Sequence, residues 1–225
     1  MIDTKNSLET KSLQANSITY ILDQFSDISW KKIIEVWSKA TCTYVAVVTW
    51  SVDLDLIINT DGDDANIHAH ILVLWSPDHK IRINCHAHLL HNNSEANIHI
   101  ISLLPNGSDV DIDGWVDLHK WLSKISWHLL EENILLGDSV KIKTLPMLDV
   151  HSNDVSASHG CRIERLDAKK MFYLQSRWLS KSEAEKLMIE WLVETMIWVV
   201  ETSEISSNEQ NLLDQLKSEC LNYVL

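Results

Sequence analysis

Glycine is scarce in this chain, with 5 residues among 225, while tryptophan reaches 10. Ordinary proteins show the reverse, with glycine at about 7% and tryptophan the rarest residue. Basic residues are short as well: 19 Lys and Arg stand against 32 Asp and Glu, a net charge of −13. Nucleic acid and anionic membrane surfaces need clustered cations, so neither is an expected partner. The four cysteines, Cys42, Cys85, Cys161 and Cys220, lie far apart without a CxxC pair. That spacing gives neither a zinc knuckle nor a disulfide framework and points to a reducing, cytoplasmic setting. Long apolar runs are missing too. The polar start, MIDTKNSLETKSLQ, has no signal-peptide core. The most apolar C-terminal stretch, 187–200, is broken by Glu190 and Glu194, so no span of about 20 apolar residues is expected. There is no phosphate-cradling glycine loop and no nucleophile elbow, which argues against an enzyme and against ATP hydrolysis by this chain itself.

What the sequence does have is alternation. TYVAVVT (43–49) and LDLIINT (54–60) are short β-rich runs. ANIHAHILVL (65–74) sets Ile67, Ala69 and Ile71 on one face against Asn66, His68 and His70 on the other. KIRINCHAHLL (80–90) repeats this, with Ile81, Ile83, Cys85, Ala87 and Leu89 inward and Arg82, Asn84, His86 and His88 outward. ANIHIISLL, SDVDIDGWVDL and SVKIKTLPMLDV continue the period-2 pattern of half-buried strands to residue 150. No helical segment intervenes, which excludes an α/β crossover fold and leaves a sandwich, a barrel or a β-helix. The shared inside-outside phase and the polar turns DGDD, SPD, HNNSE and PNGSD favour a stacked solenoid. After Asp167 the period becomes helical: AKKMFYLQSR, then a capping box from Ser180 to Glu183, a helix to about residue 200, and a short last helix over 211–225. The expected organisation is a polar tail (1–17), a mostly β core (18–167) and a C-terminal α-helical subdomain (168–225).

The stretch NDVSASHGCRIERLDAKKMFYLQSRWLSKSEAEKLMIEWLV (153–193) resembles the C-terminal signature of the SufB/SufD family of iron–sulfur cluster assembly subunits. Asp154, Val155, Ser158, His159, Ile163, Leu166, Met171, Phe172, Tyr173, Leu174, Ser176 and Arg177 match the family pattern. The resemblance weakens upstream to about residue 40, so the chain reads as a short, core-only member. It implies a right-handed parallel β-helix with a helical subdomain, acting as a non-catalytic SUF-type scaffold or scaffold-partner subunit. Its implied partners are a SufC-like ABC ATPase and a second SufB/SufD-like subunit, itself or a paralogue, in a dimer. Its implied cargo is a transient Fe–S cluster. The ATPase would dock on the helices through Met171, Phe172, Leu174, Arg177, Leu187 and Trp191.

The same resemblance singles out His159, whose imidazole can hold iron or shuttle a proton. If its stretch is extended, Cys161 shares its face, and a thiolate is the natural ligand of a nascent cluster. Glu131 occupies the position where SufB-type members hold an essential cysteine; this departure leaves a carboxylate as a weaker iron ligand, or a solvated pair with Glu132 on a turn. His68, His70, His86 and His88 form i,i+2 pairs on what read as adjacent strands; without a carboxylate or thiol in their alternation they read as an exposed polar ladder rather than a metal site. Two other readings of the whole chain stand beside the scaffold: a non-metal adaptor for the ATPase, and a β-helix enzyme acting on carbohydrate or acyl groups. The helical pair also reads as a cap for an open solenoid end. Finally, Trp178 follows Ser-Arg where the family carries glycine and where a helix closes on a left-handed residue. Trp115, Trp121, Trp127 and Trp191 likewise stand where small residues or turn glycines are expected, which suggests that the source organism reads UGA as glycine.

Overall fold

A computed structural model describes residues 7–26, 29–74 and 80–201, with the isolated positions 214 and 218. The helix expected over 211–225 falls almost wholly outside these described residues. The strands are β1 (Ser7–Leu13), β2 (Ile18–Ser26), β3 (Ser29–Val36), β4 (Thr41–Thr49), β5 (Val52–Thr60) and β6 (Asn66–Leu74). They continue with β7 (Lys80–Leu89), β8 (Glu95–Leu104), β9 (Asp109–Leu118), β10 (Ser123–Leu135), β11 (Lys141–Val150) and β12 (Asp154–Arg165). Odd-numbered strands stack in order into one six-stranded sheet and even-numbered strands into a second. Neighbours in both sheets pair in parallel. The fold is therefore a β-solenoid whose chain crosses from one sheet to the other at every turn.

Alternation builds it. Leu54, Leu56 and Ile58 of β5 and Ile67, Ala69 and Ile71 of β6 all point between the sheets and are wholly buried. Their branched side chains suit a pleated, close-packed surface. β4 reads as an unbroken apolar run because both of its faces are covered. Its outer face, with Val45 and Val47, joins Leu72, Leu74, Ile101 and Leu103 under Ile189 and Val193 of a helix. That helix is α2 (Lys181–Glu201), preceded by α1 (Ala168–Ser176). α2 thus lies along the outer face of the second sheet, with α1 packed against it, instead of capping the solenoid end. The capping box forms: Ser180 N–H donates to Glu183 Oε2 at 2.7 Å and Glu183 N–H to Ser180 Oγ at 3.2 Å.

One feature departs from the expectation. The segment read as a polar tail contains β1, which pairs with β3 along its whole length. Only Leu13 of β1 is buried, so no apolar alternation marks it. At this end Lys32 points inward, 1% exposed, with Nζ 2.9 Å from both Glu9 and Asp23; the paired carboxylates make burial of the ammonium tolerable.

The turns hold the scarce glycine to account. Gly107, entering β9 before Ser108, has φ 86°. Trp50, entering β5 before Ser51 at the same crossing, has φ 64°. Trp121, between β9 and β10, has φ 68°, and Trp178, past the Arg177 cap of α1, has φ 73°. Among the described residues the other left-handed non-glycine positions are Asn16, Asn93, Asp64, Lys39 and Lys124. Asn and Asp tolerate that region; a bulky aromatic does not. Trp127 differs: it lies in β10, wholly buried in the core, with an indole N–H that has no acceptor. Trp115 and Trp191 sit on the outer surface of β9 and α2, both partly exposed.

Candidate functional site

β11 and β12 are the last strands of their sheets. Register places His159 beside Leu129, Cys161 beside Glu131 and Ile163 beside Asn133. Leu129, Glu131 and Asn133 point into the solenoid and are buried, so His159 and Cys161 lie on the inward row of the edge strand, two residues apart. Both are exposed, because no further coil covers that row. The sequence expectation that they share a face holds, and the extended strand is the reason.

Glu131 is not on a turn. It sits in β10 with no solvent exposure. Thr144 of β11 donates its hydroxyl to Oε2, while Oε1 is buried without a partner. Burial, helped by the charge of Asp113, pushes its carboxyl up to about 7. Room for it comes from Gly114 in β9: a Cβ there would lie 2.3 Å from a Leu129 methyl and 3.0 Å from Glu131 Oε1. Next along the strand, buried Asn133 donates from Nδ2 to the Arg162 carbonyl at 3.3 Å and approaches Cys161 Sγ at 3.8 Å; its Oδ1 has no partner. Deeper in, burial and then Glu131 hold the Cys85 thiol at about 12, which makes it inert as a nucleophile.

An exposed thiol and an imidazole thus stand at the solenoid edge, with a buried carboxyl poised near neutrality behind them. Sulfur, nitrogen and oxygen donors of this kind suit iron. Two buried oxygens, on Glu131 and Asn133, lack hydrogen-bond partners, and a buried polar network left incomplete in this way calls for an explanation. Sequence reasoning missed Asn133 and Thr144; only the register of β10 with its neighbours brings them to the site.

The outward histidines divide. His68 and His70 belong to β6 in the second sheet, His86 and His88 to β7 in the first, so the two pairs are not on adjacent strands. The neighbour of His70 is His99 of β8, and the group has a carboxylate after all: Glu132 Oε2 accepts from His99 Nε2 at 2.7 Å. Burial, with His99 and His68 nearby, lowers His70 to about 4. On the first sheet, Asp117, Asp149 and His151 bring one ligand atom each within 4.8 Å, an arrangement already accounted for in part by the 3.0 Å His151–Asp149 ion pair.

The helical pair offers a second surface. An open groove of about 640 Å³ between α1 and α2 is lined by Lys169, Lys170, Tyr173, Leu174, Leu187, Met188 and Trp191. Phe172 is 74% exposed beside it. Among the sequence-selected docking residues, Leu174, Leu187 and Trp191 line this groove, whereas Met171 and Phe172 face the neighbouring cleft toward Leu136 and Ile189. Arg177 lies over the Tyr173 ring at 5.4 Å.

A two-sheet parallel β-solenoid with an uncovered edge and two C-terminal helices defines the class of fold. No helix among the described residues is long and apolar enough to cross a membrane. Residues 23–191 match the family model described as "SUF system FeS cluster assembly, SufBD core domain". The chain belongs to this SufBD core family. It is similar to the iron–sulfur cluster assembly protein SufD of Escherichia coli, 29% identical over 77 residues, 34% of this chain and 18% of that protein. It is also similar to a SufBD family protein of Synechocystis, 38% identical over 61 residues, 27% of this chain and 14% of that protein. SufD of Bacillus subtilis is 34% identical over 56 residues, 25% of this chain and 13% of that protein. Each alignment spans less than a fifth of the curated relative.

Proposed function

We propose that this protein is a scaffold or scaffold-partner subunit in iron–sulfur cluster assembly, with the cluster as its cargo and not as a resident cofactor. The observation that carries this reading is the inward row of β12, where His159 and Cys161 are exposed above buried Glu131. Cys161 supplies sulfur ligation, His159 a nitrogen ligand, and Glu131 a carboxyl able to hold or release a proton at neutral pH. The edge strands β11 and β12 offer unpaired backbone groups to a second SufB/SufD-like subunit, as sheet edges do. Pairing there would bring the partner's donors over the same row and complete the ligand set. Net charge of −13 fits a cargo of ferrous iron better than an anionic one.

The test is anaerobic reconstitution with ferrous iron and sulfide, alone and with co-expressed partner subunits. Cys161→Ser and His159→Ala are each expected to lower bound iron and sulfide about 10-fold or more, the scale on which metal sites respond to loss of a ligand or its support. Wild-type protein that stays colourless in every combination would overturn the scaffold reading and favour the adaptor.

The groove between α1 and α2 is the proposed seat of a SufC-like ATPase. Its apolar lining and exposed Leu187, Trp191 and Tyr173 have the form of a helix-pair anchor. Leu187→Asp is expected to abolish co-elution with the ATPase in size-exclusion chromatography while leaving the melting temperature within a few degrees of wild type, since Leu187 is 43% exposed. Retained co-elution would move the docking surface elsewhere.

A further inference from the structure

The outer face of the second sheet carries a groove of about 450 Å³ floored by β6, β8, β10 and β12, lined with His68, His70, His99 and His128. It borders the solenoid edge, where His159 of the inward row contributes to its rim, but His68, His70 and His99 are not part of that row. Its histidines come from a specific lattice. His68 and His70 are two residues apart on β6, so both point outward; His99 is the register partner of His70 on β8, and Asn97 that of His68. Parallel strands stand about 4.8 Å apart, so His70 and His99 face each other across one strand gap, with His68 two residues along on the same face. As placed, their three nitrogens do not all lie within 4.8 Å of one another, and side-chain rotation has to bring them onto one ion. The His70 and His99 ring centroids are 6.3 Å apart at 68°. Two nitrogens about 2.0–2.1 Å from one ion require a separation within a rotamer adjustment of this.

The tethers of the rings decide between a polar ladder and a site. Glu132 Oε2 lies 2.7 Å from His99 Nε2, so that nitrogen donates its proton and Nδ1 keeps a free lone pair. Glu132 is itself fixed by Arg162 Nη1 at 3.0 Å on its other oxygen. The Asn97 amide is 3.3 Å from His68 Nδ1; either end of an amide can serve that nitrogen, which leaves Nε2 outward. His70 Nδ1 is buried and has no hydrogen-bond partner. A solvated ladder has no need of carboxylate-braced rings and would leave no orphan nitrogen. Metal sites need both: ligand histidines are braced through their second nitrogen, and the first waits for the ion. Two histidines at i,i+2 with a third on the adjoining strand, and a fourth position open to water, is a ligand set that zinc enzymes such as carbonic anhydrase use.

We propose that His68, His70 and His99 form a three-histidine site for a first-row divalent cation of the zinc class, with Glu132 as the residue that orients His99. The cluster row at the solenoid edge neither supplies nor needs any of these ligands. The fourth position faces the open groove, so the bound ion would carry an exchangeable water.

Cobalt(II) is the probe, because its tetrahedral d–d absorption reports ligand geometry directly. Full-length protein, stripped with a chelator and titrated with Co²⁺, is expected to take up one equivalent with a tetrahedral band that Zn²⁺ displaces. His70→Gln and His99→Gln are each expected to weaken binding by more than about 100-fold, and Glu132→Gln by about 10–100-fold. His86→Gln and His88→Gln, on the other sheet, should bind as wild type. Melting curves confirm that each variant is folded; should His99→Gln fail this check, His68→Asn tests the same site. Absence of a tetrahedral band in wild type, or a band that survives His70→Gln with His99→Gln, overturns the site. So does a band lost only in Cys161→Ser, which would put the ion at the solenoid edge.

Discussion

Replacing Trp50, Trp121 and Trp178 together by glycine is expected to raise the stability of the protein by roughly 2–4 kcal/mol, although three large aromatic side chains are removed. Each holds φ between 64° and 73°, a region that costs a non-glycine residue about 1–3 kcal/mol. Trp121 and Trp178 bury almost nothing in return, being 93% and 97% exposed. Glycine adds about 0.5–1 kcal/mol of chain entropy at each position, which leaves a net gain per site near 1 kcal/mol. The sites sit on three separate turns, so the gains should add. For a chain of this size the melting temperature would rise by roughly 5–12 °C. Trp127→Gly is the contrasting control: it empties a wholly buried position and should cost about 3–5 kcal/mol. Equal or lower stability in the triple variant would show that the turns accept indoles without strain. The crossing into β5 at Trp50 repeats the crossing into β9 at Gly107, so the protein itself uses glycine for this conformation. An intact mass below the ten-tryptophan value, measured on protein from the native host, is the expected sign that UGA is read there as glycine.

How far the sequence exposed all this follows from which faces are buried. β5 to β8 were legible because each sets one face into the core, so that alternate residues are largely apolar, and β4 because both of its faces are covered. β9 and β11 keep most of that alternation, interrupted inward by Gly114 and Thr144. β1 was not: Leu13 is its one buried side chain. β10 was obscured because its inward positions include Glu131 and Asn133, which break the apolar alternation at the place where the site is built. In β12 the inward row carries His159 and Cys161, which stay exposed because no coil covers it. The solenoid period was hidden for another reason. One coil advances 23 residues from Ser7 to Trp30 but 32 from Asp109 to Lys141, so no fixed repeat exists to be found. The same topology misled the reading of the histidines. Strands consecutive in sequence go to opposite sheets, and the true neighbour of His70 is His99, two strands on. Resemblance to the SufB/SufD signature supplied His159, and strand alternation added Cys161; neither could supply Thr144 or the contact of Glu132 with His99, which only register brings into place.

Glu131→Gln is expected to stabilise the protein at pH 8 by roughly 3–4 kcal/mol and to leave it nearly unchanged at pH 4.5. The carboxyl titrates near 4.5 when solvated and at about 7 in the fold, chiefly because it is buried. Below 4.5 it is protonated in both states and costs nothing. As the pH climbs from 4.5 through 7 the unfolded chain releases this proton first, the folded state binds more protons, and stability falls. Above 7 the loss is complete, and each pH unit separating the two titrations contributes about 1.4 kcal/mol to it. A glutamine of the same shape never ionises and can still accept from Thr144, so it escapes the loss. Urea midpoints for both proteins between pH 4.5 and 8 provide the test, read as their difference so that other carboxylates cancel. Curves that run parallel would mean that Glu131 ionises inside the fold at its ordinary pH, with water or a cation reaching Oε1. Reconstitution should move the opposite way: if the carboxyl serves iron or a proton at the solenoid edge, the more stable Gln variant will hold less cargo, a trade of stability for activity of the kind that strained functional sites show. A variant that gains stability and keeps its iron would reduce Glu131 to a buried relic beside His159 and Cys161.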